Sequence, residues 1–271
     1  MLVTPTDLLF VAVGLVVILQ ALRRRWAIPP PDPAPTVVFA EVVLTGIALA
    51  ATAVGPNILV VALTPGMPGM DVLGPWLLVP AITALLVVWL VAFRLGQTRL
   101  ANRIWTGIWV GAASTAALDA IRLTGFSLGL MPGNLPRMFG VLILDQMALG
   151  PSPLSDFVGS LYHYWVGASF GLTYTLLVGR TRWWGVVIWA LLIELGMMTT
   201  PPMVVAMDTG FFGLKWGYGI LITSVPAHIA CGVAAGLLLE RYTRHEGSIV
   251  GIIAGAFGLR GRERPGVREA C

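Results

Sequence analysis

His163-Tyr-Trp-Val-Gly-Ala-Ser-Phe-Gly171 and His228-Ile-Ala-Cys-Gly-Val-Ala-Ala-Gly236 share the frame H-x-x-x-G-x-x-x-G, and both lie inside long apolar segments. Each is preceded by the tripeptide Thr-Gly-Phe, at Thr124-Gly125-Phe126 and again at Thr209-Gly210-Phe211. Residues four apart on a helix stack on one face, so each copy sets a histidine above a two-glycine groove. The repeated unit reads as a helix, an outer Thr-Gly-Phe loop and a second helix that carries the histidine. A two-span unit keeps its orientation when duplicated, so the copies are expected to be parallel repeats about an axis along the membrane normal.

The composition around this repeat is that of a membrane protein. Of 271 residues, 57% are hydrophobic and 11% charged, with mean hydropathy +0.85, which lies outside the range of soluble domains. At about 20 residues per crossing, the apolar runs predict seven spans, near 6–22, 37–61, 75–95, 104–122, 156–178, 183–200 and 217–239. The fold class expected is an all-α, seven-transmembrane-helix bundle with a two-fold repeat in its last four helices. Residues 1–103 form a three-helix N-terminal region and 104–240 the repeat bundle. Residues 241–271 form a basic tail with a short interfacial helix.

Arginines orient the bundle. Arg23, Arg24 and Arg25 follow the first span, and Arg94, Arg99 and Arg103 fill the third connection. Arg180 and Arg182 fill the fifth, and Arg241, Arg244, Arg260, Arg262, Arg264 and Arg268 follow the seventh. The opposite connections hold only Arg122, Arg137 and Lys215. The positive-inside rule then puts the N-terminus outside and the C-terminus inside the cell (inner) membrane. No basic residue precedes the first apolar run, so it reads as a retained helix and not as a cleaved signal. The sequence pI near 9.5 is accounted for by charge at the membrane surface, with the lipid bilayer as partner and no nucleic acid required.

The connections carry their own signals. Pro29 to Pro35 is a proline-rich linker that favours extended backbone, and 62–74 is turn-rich. Residues 135–149 are apolar but too short to cross; they should lie in the interface or re-enter the bundle. The stretch 248–259 is also too short to cross and should rest on the inner leaflet. Tyr162, Tyr164, Trp165, Trp183, Trp184 and Trp216 read as interface belts. The two cysteines, Cys231 in mid-span and Cys271 at the end without a prenylation context, do not make a disulfide framework.

Ionisable groups within spans are costly and mark candidate sites. Here they are Glu41, Asp119, His163, Glu194 and His228. Glu41, near the inner end of its span, can simply snorkel. The other four fall at one depth, in the outer half, one on each repeat helix. One reading is ligation: His163 and His228 could bracket a haem b, with Gly167 and Gly232 making room for the ring, or hold a metal with Asp119 or Glu194. The other is that each histidine satisfies a neighbouring carboxylate or carbonyl and the glycines are close helix contacts. Asp119 and Arg122 are three apart and can pair on one face, which would take Asp119 out of a ligand set. Apart from Met1, the methionines (Met67, Met70, Met131, Met138, Met147, Met197, Met198, Met203 and Met207) fall in outer loops or outer helix ends. Thioethers suit a copper ion, though methionine is also an adaptable packing residue. Pro201-Pro202 should break span six, and His245 is expected to be solvated among charges.

Nucleophile, P-loop, dinucleotide-binding and zinc-protease motifs are absent, which disfavours a hydrolase or a self-contained ATP-driven pump. The run Ala117 to Phe126, then His163-x-x-x-Gly167 with Phe170-Gly171 and Tyr174, then His228-x-x-x-Gly232, resembles uncharacterised bacterial polytopic membrane proteins over about residues 105–240. No activity comes with that resemblance. Three functions stay open. The first is an integral membrane subunit with a polar outer-half site in an electron- or metal-handling assembly. The second is a structural or anchoring subunit packed against other membrane chains. The third is a small-solute or proton-coupled transporter with Asp119 or Glu194 as the coupling carboxylate.

Overall fold

In lipid every backbone polar group must be satisfied within the chain, and a helix does this locally. The computed structural model describes residues 3–24, 28–33, 35–200, 204–205 and 208–257, and among them no strand occurs. The helices are α1 (Pro5–Arg24), α2 (Phe39–Ala62), α3 (Met70–Leu73), α4 (Val79–Arg94), α5 (Thr98–Ser127), α6 (Leu135–Ile143), α7 (Pro153–Leu177), α8 (Trp183–Thr199), α9 (Gly219–Tyr242) and α10 (Ile249–Ala256). A π-helical stretch, Gly74–Leu78, joins α3 to α4, and a 3-10 turn, Phe211–Trp216, precedes α9.

Five helices are long and apolar enough to cross a membrane: Pro5–Arg24, Phe39–Ala62, Met70–Arg94, Thr98–Ser127 and Gly219–Tyr242. This is a multi-pass membrane protein. Two boundaries differ from expectation. The third crossing helix starts at Met70, inside the stretch read as a turn-rich loop. The fourth runs on through Thr124-Gly125-Phe126, which the sequence placed in a loop. That helix stops only where Gly129 takes a left-handed φ of 74° and Leu130 N closes back on Gly125 O at 2.9 Å. The second tripeptide behaves differently, because Gly210 itself has φ 70° and turns the chain.

α5 is the centre of the bundle, packed on α1, α4, α7 and α9, while α8 packs on α9. Small residues allow this. A Cβ on Gly171 of α7 would lie 2.6 Å from Gly107 O and 2.7 Å from Gly111 Cα of α5. α6 packs against the start of α7, where Gly140 and Gly159 leave no space for a side chain on either. Arg137 Nε reaches Asp156 Oδ1 at 3.0 Å across the same contact, and Ser152 with Ser155 forms a capping box at the start of α7. α10 occupies most of 248–259; residues 258 and 259 and the basic tail lie outside the described residues.

The end of the bundle opposite α6 is rich in arginine. Glu41 does not snorkel there. It is 3% exposed and takes two hydrogen bonds from Arg99, from Nε at 2.7 Å and Nη2 at 2.5 Å, while Arg99 Nη1 donates to Pro35 O at 3.2 Å. A two-pronged pair of this kind fixes α2 against the start of α5. His245 is likewise not solvated: it is buried, and burial together with the Arg99 and Arg103 charges pushes its imidazole below the usual value despite a raising contribution from Asp32.

Removing one partner of the buried pair leaves a lone charge, so Arg99→Ala should cost about 3–5 kcal/mol. The double variant Arg99→Met/Glu41→Leu should recover most of it; equal melting temperatures for Arg99→Ala and parent in detergent would contradict the buried pair. For His245, the unfolded chain titrates near 6.5 (roughly the free imidazole value) and the folded chain lower. The unfolded state then binds more protons as pH falls through about 6.5, and stability drops. His245→Gln should flatten that part of the pH–stability curve, measured by thermal unfolding.

Candidate functional site

Near the α6 end of the bundle, Asp119 on α5 and His163 on α7 meet. Asp119 Oδ1 lies 3.0 Å from His163 Nε2 and accepts from Arg122 Nε, one turn further on α5, at 2.9 Å. The network continues outward. Arg122 Nη1 donates to Asn134 Oδ1 at 3.1 Å, and Asn134 Nδ2 donates to Asp7 Oδ2 on α1 at 2.9 Å. Asp7 Oδ2 also accepts from Thr4 N and Oγ1, at 2.9 and 3.0 Å. Asp7, Asp119, Arg122 and Asn134 are all buried. The guanidinium thus bonds Asp119 directly and reaches Asp7 only through the Asn134 amide.

A second pair lies between α8 and α9. His228 Nδ1 is 3.0 Å from Ser224 O, one turn back on its own helix, and 2.8 Å from Glu194 Oε2. Nδ1 carries at most one hydrogen, and the alignment favours the carbonyl as its acceptor. Glu194 Oε2 is held in turn by Ser224 Oγ at 3.0 Å, while Glu194 Oε1 is buried with no hydrogen-bond partner.

The two imidazoles line one cavity of about 430 Å³. Its walls are mainly apolar, with Phe139, Phe170 and Trp189 among them, and Ser114, Thr115 and Arg122 supply further polar groups. Asp119 and Glu194 are not in the wall; each stands behind its own histidine. The four residues expected to share a metal therefore form two pairs. Among the described residues, no three of His, Cys, Asp and Glu converge on a metal position. The physical reason is that the carboxylates stand on different helix pairs: Asp119 Oδ1 is shared by His163 and Arg122, and Glu194 Oε2 is held by Ser224 beside His228.

A haem held between the two histidines does not fit these residues. His163 turns Nε2, the nitrogen with the least hindered approach to a large ring, onto Asp119. The glycines do not open space for a porphyrin either. A Cβ on Gly167 would strike Thr115 Oγ1, and one on Gly232 would lie 2.8 Å from Val187 Cα. They bring α7 against α5 and α9 against α8, as small residues do between membrane helices.

Other expectations divide. Met131, Met197, Met198 and Cys231 line the cavity, Met70 is in the core, and Met67 and Met147 are exposed. Met203, Met207 and Pro201-Pro202 lie outside the described residues. Trp183, Trp184 and Trp216 are exposed, but Tyr162 and Tyr164 are buried and are not belt residues; Tyr162 donates from its hydroxyl to Gly55 O at 2.8 Å. Sequence reading missed Asp7 and Asn134. Asp7 carried a usable signal, an aspartate inside the first apolar run; Asn134, in a Gly- and Pro-containing loop twelve residues beyond Arg122, carried none.

Comparison with protein-family models, curated proteins and solved structures returned no match.

A loop asparagine at a protein surface usually changes stability by under about 0.5 kcal/mol when replaced. Asn134→Ala should cost about 3 kcal/mol instead, because it strips hydrogen bonds from two buried charged groups at once. A thermal melt in detergent checks this, and a loss within the surface range would detach Asn134 from the network.

Proposed function

We propose that the chain crosses the cell membrane seven times, as α1, α2, the helix Met70–Arg94, α5, α7, α8 and α9, with its N-terminus outside. Five long apolar helices support this, joined by α7 with 25 residues and the apolar α8 with 17. The arginines that follow α1, α4, α7 and α9 support the orientation. The pairs α5–α7 and α8–α9 are read as two copies of one unit. Asp119 meets His163, Thr115 meets Gly167 and Gly111 meets Gly171. Glu194 meets His228 and Ala190 meets Gly232 in the same four-residue steps.

In this reading the protein is an integral membrane subunit with a polar site in its outer half. The site takes a small, mainly apolar molecule that carries hydrogen-bonding oxygen atoms, with His163 and His228 as its polar anchors. One observation carries the proposal: both imidazoles line the same cavity, and each has a carboxylate directly behind it. The volume is within the span of about 300–1,000 Å³ typical of small-molecule pockets. A carboxylate touching an imidazole lets a proton pass between them with little movement of heavy atoms. Ligand binding can thereby be linked to proton uptake at the hydrogen-bonded pair Asp119–His163. A ligand-binding subunit of an electron-handling membrane assembly needs this linkage, and so does a proton-coupled carrier.

A second reading rests on a different observation. The thioethers of Met131, Met197 and Met198 and the thiol of Cys231 line the same cavity as the imidazoles, and such soft donors suit Cu(I).

Organic extraction of the purified protein with mass spectrometry should release a lipid-soluble, oxygen-bearing compound in stoichiometric amount, lost from His163→Ala/His228→Ala. Identical extracts from parent and variant would sink the ligand reading. Elemental analysis of the same samples separates the alternatives: stoichiometric copper that disappears in Met197→Leu/Met198→Leu would assign the cavity to the metal. No Soret band is expected.

A further inference from the structure

At the arginine-rich end, remote from the histidine cavity, α1, α5, the end of α9 and the segment Pro29, Pro30 and Asp32 enclose a cleft of about 620 Å³. Its position is set by polar ties between these elements. Tyr242 Oη donates to Ala21 O at 2.9 Å, and Asn102 Nδ2 donates to Tyr242 O at 3.1 Å. Arg244 N donates to Asn102 Oδ1 at 2.9 Å, and Asp32 N donates to Arg244 O at 2.9 Å. The cleft is thus a built feature of the fold.

Its charge is strongly one-sided. Arg24, Arg180, Arg241 and Arg244 line it, against one carboxylate, that of Asp32. Among the described residues none of the four arginines is in an ion pair, although Arg180 Nη2 donates to Pro29 O, whereas Arg99, Arg122 and Arg137 all are. Arg241 is the most telling of them, because its Nε and Nη1 atoms are buried and have no hydrogen-bond partner among the described residues. A guanidinium partly withdrawn from water with no counter-charge is costly, and an anion in the cleft would offset its charge while bonding the nitrogen that stays accessible.

The cleft also has an apolar side. Val17 and Trp105 line it and are 37% and 59% exposed, and the outward face of α1 continues from Val17 through Val16 and Val13. A ligand seated there meets cations at one end and the lipid-facing helix surface at the other. Basic pockets between membrane helices at the surface suit lipid head groups for the same reason.

We propose that this cleft binds a phosphate group, that of an anionic glycerophospholipid, with the phosphate on Arg241 and Arg244 and an acyl chain along Val17 and Trp105. The inference does not depend on the reading of the histidine cavity. A free phosphate ester offers the same oxygens without the chain, so the test must separate the two sources.

The experiment is native mass spectrometry of the full chain in nonionic detergent, titrated with phosphatidylglycerol, phosphatidylcholine and glycerol 3-phosphate. Phosphatidylglycerol should be retained in preference to the other two. Arg241→Gln/Arg244→Gln should weaken its retention roughly thirtyfold, the loss expected for two surface arginines. Arg94→Gln, which removes an exposed charge at the same end but outside the cleft, should leave it unchanged. Should the double variant fail to fold, Arg244→Gln alone serves, since Arg244 is exposed; it should weaken retention severalfold. Equal retention by parent and cleft variants would overturn the proposal, as would equal loss in Arg94→Gln. Tight binding of glycerol 3-phosphate with no gain from the acyl chains would overturn the lipid assignment in favour of a soluble phosphate ester.

Discussion

Asp119 sits in an apolar helix bundle, where water is not at hand to solvate a carboxylate, and the arrangement of the surrounding helices answers to that constraint. Its Oδ1 atom is shared by Arg122 and His163, and the second reach of Arg122, to Asn134, draws Asp7 and α1 into the same group. An unpaired buried charge costs several kcal/mol, by an order-of-magnitude rule, so each of these residues needs the others in place. The consequence is positional: α1, α5, the 128–134 loop and α7 are held in one register by groups that cannot turn to lipid.

The glycines supply the complementary requirement. A carboxylate on one helix reaches an imidazole on the next only if the backbones approach closely, and Gly107, Gly111, Gly167 and Gly171 permit this for α5 and α7. Gly232 and Gly236 do the same for α9 against Val187 and Trp183 of α8. Close packing and polar pairing are thus two halves of one device. With no net hydrophobic force between helices in lipid, dispersion contacts and hydrogen bonds of this kind must hold the bundle together.

The two ends of the molecule use charge differently. At the α6 end, cations are absorbed into ion pairs, Arg122 with Asp119 and Arg137 with Asp156. At the other end Arg99 is neutralised in this way, by Glu41, and among the described residues the arginines around the cleft between α1, α5 and α9 have no carboxylate partner. The histidine cavity, by contrast, is mainly apolar, with His163, His228, Ser114, Thr115 and Arg122 among its few polar groups.

The helical membrane fold and the approximate extent of the crossing helices could be read from the chain alone, because a bilayer demands long apolar runs whatever their neighbours are. The singular value of His163, His228, Asp119 and Glu194 was legible for the same reason: ionisable groups stand out in such runs. Their partnership was not. Spacing along a helix reveals Asp119 and Arg122 as neighbours, but it cannot tell whether Asp119 and Glu194 share one metal or back two separate imidazoles. That depends on how α5 meets α7 and α8 meets α9. Asn134 and Asp7, 127 residues apart, are joined only once α1 docks beside α5. The glycine frame was equally ambiguous in one dimension, since a missing side chain can be room for a ligand or room for a helix. Tertiary packing decided for the helix, because the neighbouring backbone already occupies the space a side chain would need.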